Sequence, residues 1–119
     1  MTLARTASLF GFLCVVLGAF GAHGLEQHLD AKHIGWWETG TFYALTHSIA
    51  AFAMGRTPRS LGYHRAGWVM LFGVTVFSGT LYAMALGAPT WLGAVTPLGG
   101  LGLLIGWGFA FFASKARER

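Results

Sequence analysis

The sequence predicts an all-α fold: an integral membrane four-helix bundle, one transmembrane domain over residues 1–119, with both termini cytoplasmic. Three observations carry this reading. Hydrophobic residues make up 55% of the chain and charged residues only 10%, with a mean hydropathy of +0.58; a soluble domain covers its surface with roughly 25% charged residues. Apolar runs of about 18 residues or more, the length that crosses a bilayer, recur along the chain. The lysines and arginines are gathered almost entirely on alternate connections between those runs.

The first run, "TASLFGFLCVVLGAFGA", follows Arg5 and ends in small residues. A secretory signal peptide has the same outline, and Ala19 and Gly21 stand where small residues precede a cut. Three further runs follow, and an uncleaved first span makes the count even, so residues 6–23 are read as a transmembrane helix. Cys14, the single cysteine, lies inside this run as a small packing residue and excludes an intrachain disulfide.

The second run, residues 36–54, contains Glu38, three threonines and His47, yet it is long enough to cross at about 1.5 Å per residue. Trp36 and Trp37 open it as interfacial anchors, and its polar content predicts a helix with one side turned into the bundle. The third and fourth runs, residues 66–86 and 91–113, are plainly apolar, with "GAPT" as a tight turn between them.

Four spans place Arg5, Arg56, Arg59, Arg65, Lys115, Arg117 and Arg119 on one side and only Lys32 on the other. Basic residues near span ends mark the cytoplasmic face, which puts both termini in the cytoplasm and "GAFGAHGLEQH" at the outer surface. Within the cytoplasmic cluster, Arg56, Arg59, Arg65, Lys115, Arg117 and Arg119 are expected to hold anionic lipid headgroups. No basic stripe is interleaved with exposed aromatics, which argues against nucleic acid as a partner.

Helices in lipid gain little from apolar burial against one another, so small side chains that permit close approach mark their contacts. In the first span Ala7, Gly11, Cys14, Gly18 and Ala22 form a narrow stripe, and Gly21 is a further small contact residue at its outer end. The fourth span repeats the device with Gly99, Gly102 and Gly106, and Pro97 falls in its first turns, where a missing N–H matters least. The partner of either stripe is a helix of the same chain, a second copy in a homo-oligomer, or a larger membrane complex.

Ionisable residues inside a membrane helix raise a functional question by default. Depth counting places His23 near the level of Glu38, with Thr96 close by, and His23 is expected within hydrogen-bond or one-water reach of residues 36–43, with Glu38 or a nearby threonine or tyrosine hydroxyl as its partner. His47 lies roughly 13 Å deeper, at the depth of Thr75, Ser78 and Thr80. It is either a neutral imidazole satisfied among hydroxyls or part of a proton or ligand path. His23, His28 and His33, spaced by five, fall on different sides of a helix, so no metal site is expected, and no haem or other cofactor. Leu25 and Leu29 suggest a short outer segment lying on the membrane. The chain carries no P-loop, dinucleotide fingerprint, nucleophile elbow or HExxH helix, and it is not expected to be an enzyme.

The blocks "LGAFGAHGL", "WWETGTFYALTHSIA", "FSGTLY" and "VTPLGG…GW" resemble, in order and over nearly the whole chain, the YgdD-like small bacterial membrane proteins and the transmembrane protein 256 family. The pattern is similar at Gly18, Gly21, Ala22, His23, Thr39, Gly40, Tyr43, His47, Ser78, Gly79, Tyr82, Pro97, Gly99, Gly100 and Trp107, while Glu38 stands where glutamine also occurs. The resemblance implies four helices in a bacterial inner membrane. It carries no mechanism. Two function classes follow: a structural or accessory membrane component that associates through its glycine faces, or a minimal passage for a proton or small polar solute along His23, Glu38 and His47.

Overall fold

Thr2 starts the first helix by accepting the Arg5 amide, and α1 runs over Leu3–Phe20 in the computed structural model, which describes residues 1–119. It continues into one π-helical turn over Gly21–Leu25, closed by the Glu26 amide donating to the Gly21 carbonyl at 3.0 Å. Asp30 caps α2, Ala31–Gly55, and Ser60 caps α3, Leu61–Ala85. A 3₁₀ turn over Thr90–Ala94 leads into α4, Thr96–Arg117, with Pro97 in its first turn.

The helices differ from the apolar runs mainly at their capped ends. Hydropathy predicts 36–54 and 66–86, but Asp30 and Ser60 start their helices five residues earlier, among polar residues that a hydropathy reading leaves outside. Trp91 belongs to the 3₁₀ turn rather than to α4. By length and composition three segments, Leu3–Leu25, Leu61–Ala85 and Thr90–Arg117, are able to cross a membrane. α2 matches α3 at 25 residues but carries more polar side chains and falls outside that set.

Each helix packs chiefly on its neighbours in sequence: α1 on α2, α2 on α3, α3 on α4. No broad contact joins α1 to α4 or α2 to α4. The bundle is thus an open, curled row, about 52 × 27 × 22 Å. Its core gathers Leu3, Ala7, Cys14, Ala51, Met70 and Val74 with residues of all four helices. Leu9, Phe12, Phe72 and Phe111 stay exposed on the outside, as lipid-facing side chains do.

Glycines set the closest crossings. A Cβ on Gly73 would lie 2.9 Å from the Gly99 carbonyl, and one on Gly106 2.5 Å from Met70, so α3 and α4 meet backbone to backbone. Gly40 receives α3 on α2, where Ser78 Oγ donates to the Gly40 carbonyl at 2.7 Å. Gly55 lies against Ala4 and Gly62 against Ala113, and Arg117 donates to the Pro58 carbonyl at 3.3 Å. These contacts bring both termini and the 56–60 connection to one end. All seven basic residues other than Lys32 collect there, while Glu26, Asp30 and Glu38 belong to the opposite half.

Asp30 is the one charged cap. Its carboxylate accepts the His33 amide at 2.9 Å and faces His33 Nδ1 at 2.6 Å, and those bonds hold its pKa below the usual carboxylate range. A carboxyl depressed in the folded state contributes stability above its unfolded pKa and loses it as pH falls through the folded value. The His33 amide is therefore expected to exchange faster, relative to α3 amides and after correction for intrinsic rates, as pH drops below the ordinary carboxylate range. Asp30→Asn, which preserves a cap, should flatten that dependence; an unchanged profile would mean the carboxylate does not hold the turn.

Candidate functional site

His47 is the most enclosed histidine, with 7% of its surface exposed, and the glutamate, lysine and arginine side chains of the helices are all exposed. Its Nδ1 lies 2.7 Å from the Tyr43 carbonyl one turn back, and its Nε2 lies 3.1 Å from Trp107 Nε1 on α4. An indole N–H only donates, so Nε2 presents its lone pair and Nδ1 carries the hydrogen. This arrangement belongs to the neutral imidazole. Tyr43 stacks beside it, and Phe77 of α3 packs on Tyr43 at a centroid distance of 4.8 Å.

The expected partners are not the ones found. Thr75 Oγ1 donates to the Leu71 carbonyl, Ser78 to Gly40, and Thr80 to its own helix while meeting Thr96 Oγ1 at 2.7 Å; none reaches His47. Trp107 was the missed residue. Counted from the helix ends at the basic end, it and His47 lie at similar depths, a match legible in the sequence along α4 but not along α3. Trp107→Phe keeps an aromatic ring and strands Nε2. It is expected to lower stability in detergent by about 0.6–1.7 kcal/mol, the range of interhelical hydrogen bonds in membranes. Trp91→Phe, at an exposed position, is the control; equal melting of the two variants would remove the bond from the account.

His23 does not meet Glu38. Both are exposed, and neither forms a side-chain hydrogen bond. The reason is helical phase: Gly21 faces α2, and a residue two positions later points to the opposite side. The contact with α2 is made instead by Trp37, whose indole lies 2.5 Å from where a Gly21 Cβ would be and donates to the Leu17 carbonyl at 2.8 Å. Trp37 is thus buried at 3% exposure and is not the interfacial anchor expected. It packs on Tyr82 with ring centroids 4.3 Å apart. Thr41 Oγ1 donates to the Trp37 carbonyl and so accepts from Tyr82 Oη at 2.7 Å. Leu25 is buried with Trp37 and Ala85, and Leu29 packs on them, so this segment folds over the bundle end rather than lying along the membrane.

The small residues divide. Gly99, Gly102 and Gly106 all face α3, and Gly18 touches Thr41. Gly11 has nothing within 4 Å of a built Cβ, and Ala22 is exposed, because the buried line of α1 passes through Leu3, Ala7 and Cys14 to Gly21 and leaves both beside it. Gly11 opens instead on a groove of about 250 Å³ with Ser8, Ser48 and Ile49. Glu38 borders another, of about 270 Å³, with Gly18, Ala22 and Thr41. On the far face, an open groove of about 580 Å³ runs past Tyr43, His47, Phe77, Pro97, Gly100 and Trp107. Arg56, Arg59, Arg65, Lys115, Arg117 and Arg119 are all exposed at the shared basic end.

Similar chains are named as membrane proteins. The family described as "Protein of unknown function (DUF423)" matches residues 17–100. The UPF0382 membrane protein of Haemophilus influenzae is 40% identical over 116 residues, covering 92% of each chain. That of Staphylococcus saprophyticus is 40% identical over 102 residues, covering 84% of this chain and 85% of its own. The UPF0382 inner membrane protein YgdD of Escherichia coli is 39% identical over 105 residues, covering 85% and 79%. No solved structure matches the chain. Similarity of this extent, together with four helices of which three are apolar enough to span, makes the chain a member of the DUF423, or UPF0382, membrane protein family that includes YgdD.

Proposed function

We propose that the chain is a four-span protein of the bacterial inner membrane, both termini cytoplasmic, and that it serves as a structural or accessory component of membrane assemblies. The observation that carries this reading is the closed polar interior. No buried side-chain nitrogen or oxygen lacks a partner inside the chain, and His47 is bonded at both ring nitrogens. His23 and Glu38 are exposed, separately, on the outer half. A proton or solute path needs polar groups that exchange partners with water along a line, and these groups are engaged elsewhere or apart. The reading assigns no reaction, metal or cofactor to the chain.

The surface supports association with another helix, from a second copy or a larger complex. The Gly11 groove between α1 and α2 has the small-residue floor that such a contact uses. The basic end would meanwhile hold anionic headgroups, each exposed cation contributing about 1 kcal/mol near an anionic leaflet. A photoreactive residue at Gly11 should give a discrete protein adduct in native membranes, whereas one at the exposed Phe72 should give lipid adducts only. Proton leak in proteoliposomes should match that of protein-free vesicles. A leak abolished by His47→Ala, with no Gly11 adduct, would replace this reading with passage.

The orientation rests on the seven-to-one basic asymmetry. In a Cys14→Ala background, single cysteines at Ser60 and Asp30 are expected to label from opposite sides of the membrane, Ser60 from the cytoplasm. Labelling of both from one side would overturn the four-span topology.

A further inference from the structure

α2 and α4 stand apart over α3, and the space between them is a single long groove. Two hollows of about 650 and 580 Å³ share Phe77 and Pro97 and so adjoin end to end. The outer mouth holds Thr90 and Lys32, whose ammonium is steadied 5.2 Å from the centre of the Trp36 ring. The inner end is bounded by the Trp107–His47 hydrogen bond, which ties α4 to α2. Between mouth and end the walls are largely apolar, with Leu81, Phe77, Pro97, Leu101 and Leu104, and the Thr96 hydroxyl there is engaged with Thr80.

Length and charge together name the occupant. The stretch of α2 from Lys32 to His47 is about 22 Å long at 1.5 Å per residue, and half of a bilayer about 40–45 Å thick with its headgroups is about 20–22 Å. The groove therefore has the depth of one leaflet, a cation at headgroup level and a closed end where an acyl chain stops. None of the acidic residues of that half lines it: Glu38 borders the α1–α2 groove, and Asp30 is bonded to His33. We propose that this groove seats a phospholipid of the leaflet opposite the basic end, its phosphate on Lys32 and one acyl chain lying over Phe77 as far as the Trp107–His47 bridge.

This inference does not depend on which face is cytoplasmic or on what the Gly11 groove binds. The test uses the full chain in vesicles containing phosphatidylethanolamine with a diazirine in one acyl chain, or diacylglycerol carrying the same diazirine and no phosphate. Phospholipid adducts should concentrate on Phe77, Leu101 and Leu104 over Phe12 and Phe72, which are exposed outside the groove. Gly100→Leu, whose Cβ would meet only Phe77, 3.7 Å away, should suppress groove adducts of both lipids. Lys32→Gln should lower the phospholipid yield about fivefold, the factor expected of one cation near a charged headgroup, and leave the diacylglycerol yield unchanged. Even labelling of Phe12, Phe72 and the groove would overturn the proposal, as would a phospholipid yield indifferent to Lys32→Gln. The surface position of Lys32 keeps that second arm readable even where Gly100→Leu fails to fold.

Discussion

Gly99→Ala is expected to destabilise the protein by about 1–3 kcal/mol or more, the usual penalty for forcing a methyl group into packed space. The added Cβ would run into the Phe77 amide nitrogen and come within 2.6 Å of the Gly73 carbonyl and 2.8 Å of the Phe77 Cα. These are backbone atoms of α3, so no side-chain rotation relieves the clash, and α4 must move away along the whole crossing. The adjacent Gly100 provides the contrast. Its added Cβ would find Phe77 Cδ2 at 3.7 Å, an ordinary contact, so Gly100→Ala should be neutral or stabilising by up to about 1 kcal/mol through lower backbone entropy of the unstructured chain. Thermal melts in one detergent compare the pair directly. If Gly99→Ala melts with the wild type, the α3–α4 interface is looser than described.

Trp37→Ala should be the most damaging single truncation on the α1–α2 side, at about 3–5 kcal/mol, as for other buried tryptophans. The indole fills the space over Gly21, lies edge-on to Phe20 at 6.0 Å, packs on Tyr82 and donates to the Leu17 carbonyl. Leu17 also receives the Gly21 amide, so the lost hydrogen bond contributes less than the lost volume. Trp37→Phe is accordingly expected to fall well short of the alanine loss. Denaturation that leaves Trp37→Ala as stable as Trp37→Phe would reverse that ranking and make the hydrogen bond the dominant contact.

Three apolar spans and the glycine crossing of α4 were legible in the sequence because both depend on spacing and residue size along one helix, whereas α2, expected as a fourth apolar span, carries too many polar side chains to stand with them. The helix starts were not legible from hydropathy, since Asp30 and Ser60 act locally, by accepting the amides of His33 and Tyr63. The polar pairings were the least legible. His23 and Gly21 sit two residues apart and cannot face the same helix, yet depth counting alone treats them as one contact. Similarly, depth alone pairs His47 with hydroxyls on the next helix in sequence, whereas its partner Trp107 comes from across the groove. Depth is a one-dimensional coordinate; a side-chain contact also needs the rotation of both helices about their axes, which the tertiary packing fixes.

The open row of helices has a consequence for how the protein is made. Because α1 rests on α2, α2 on α3 and α3 on α4, nearly every interface lies between consecutive hairpin partners, and little sequence separates the residues that must find each other. Chains of this kind assemble quickly, and domains built on the ribosome gain structure from the N-terminus onward. Each span can dock on its predecessor as it enters the bilayer, with no early helix left waiting for the last one to close a ring. The groove between α2 and α4, like the α3–α4 crossing, is completed only at the end, when Trp107 arrives opposite His47.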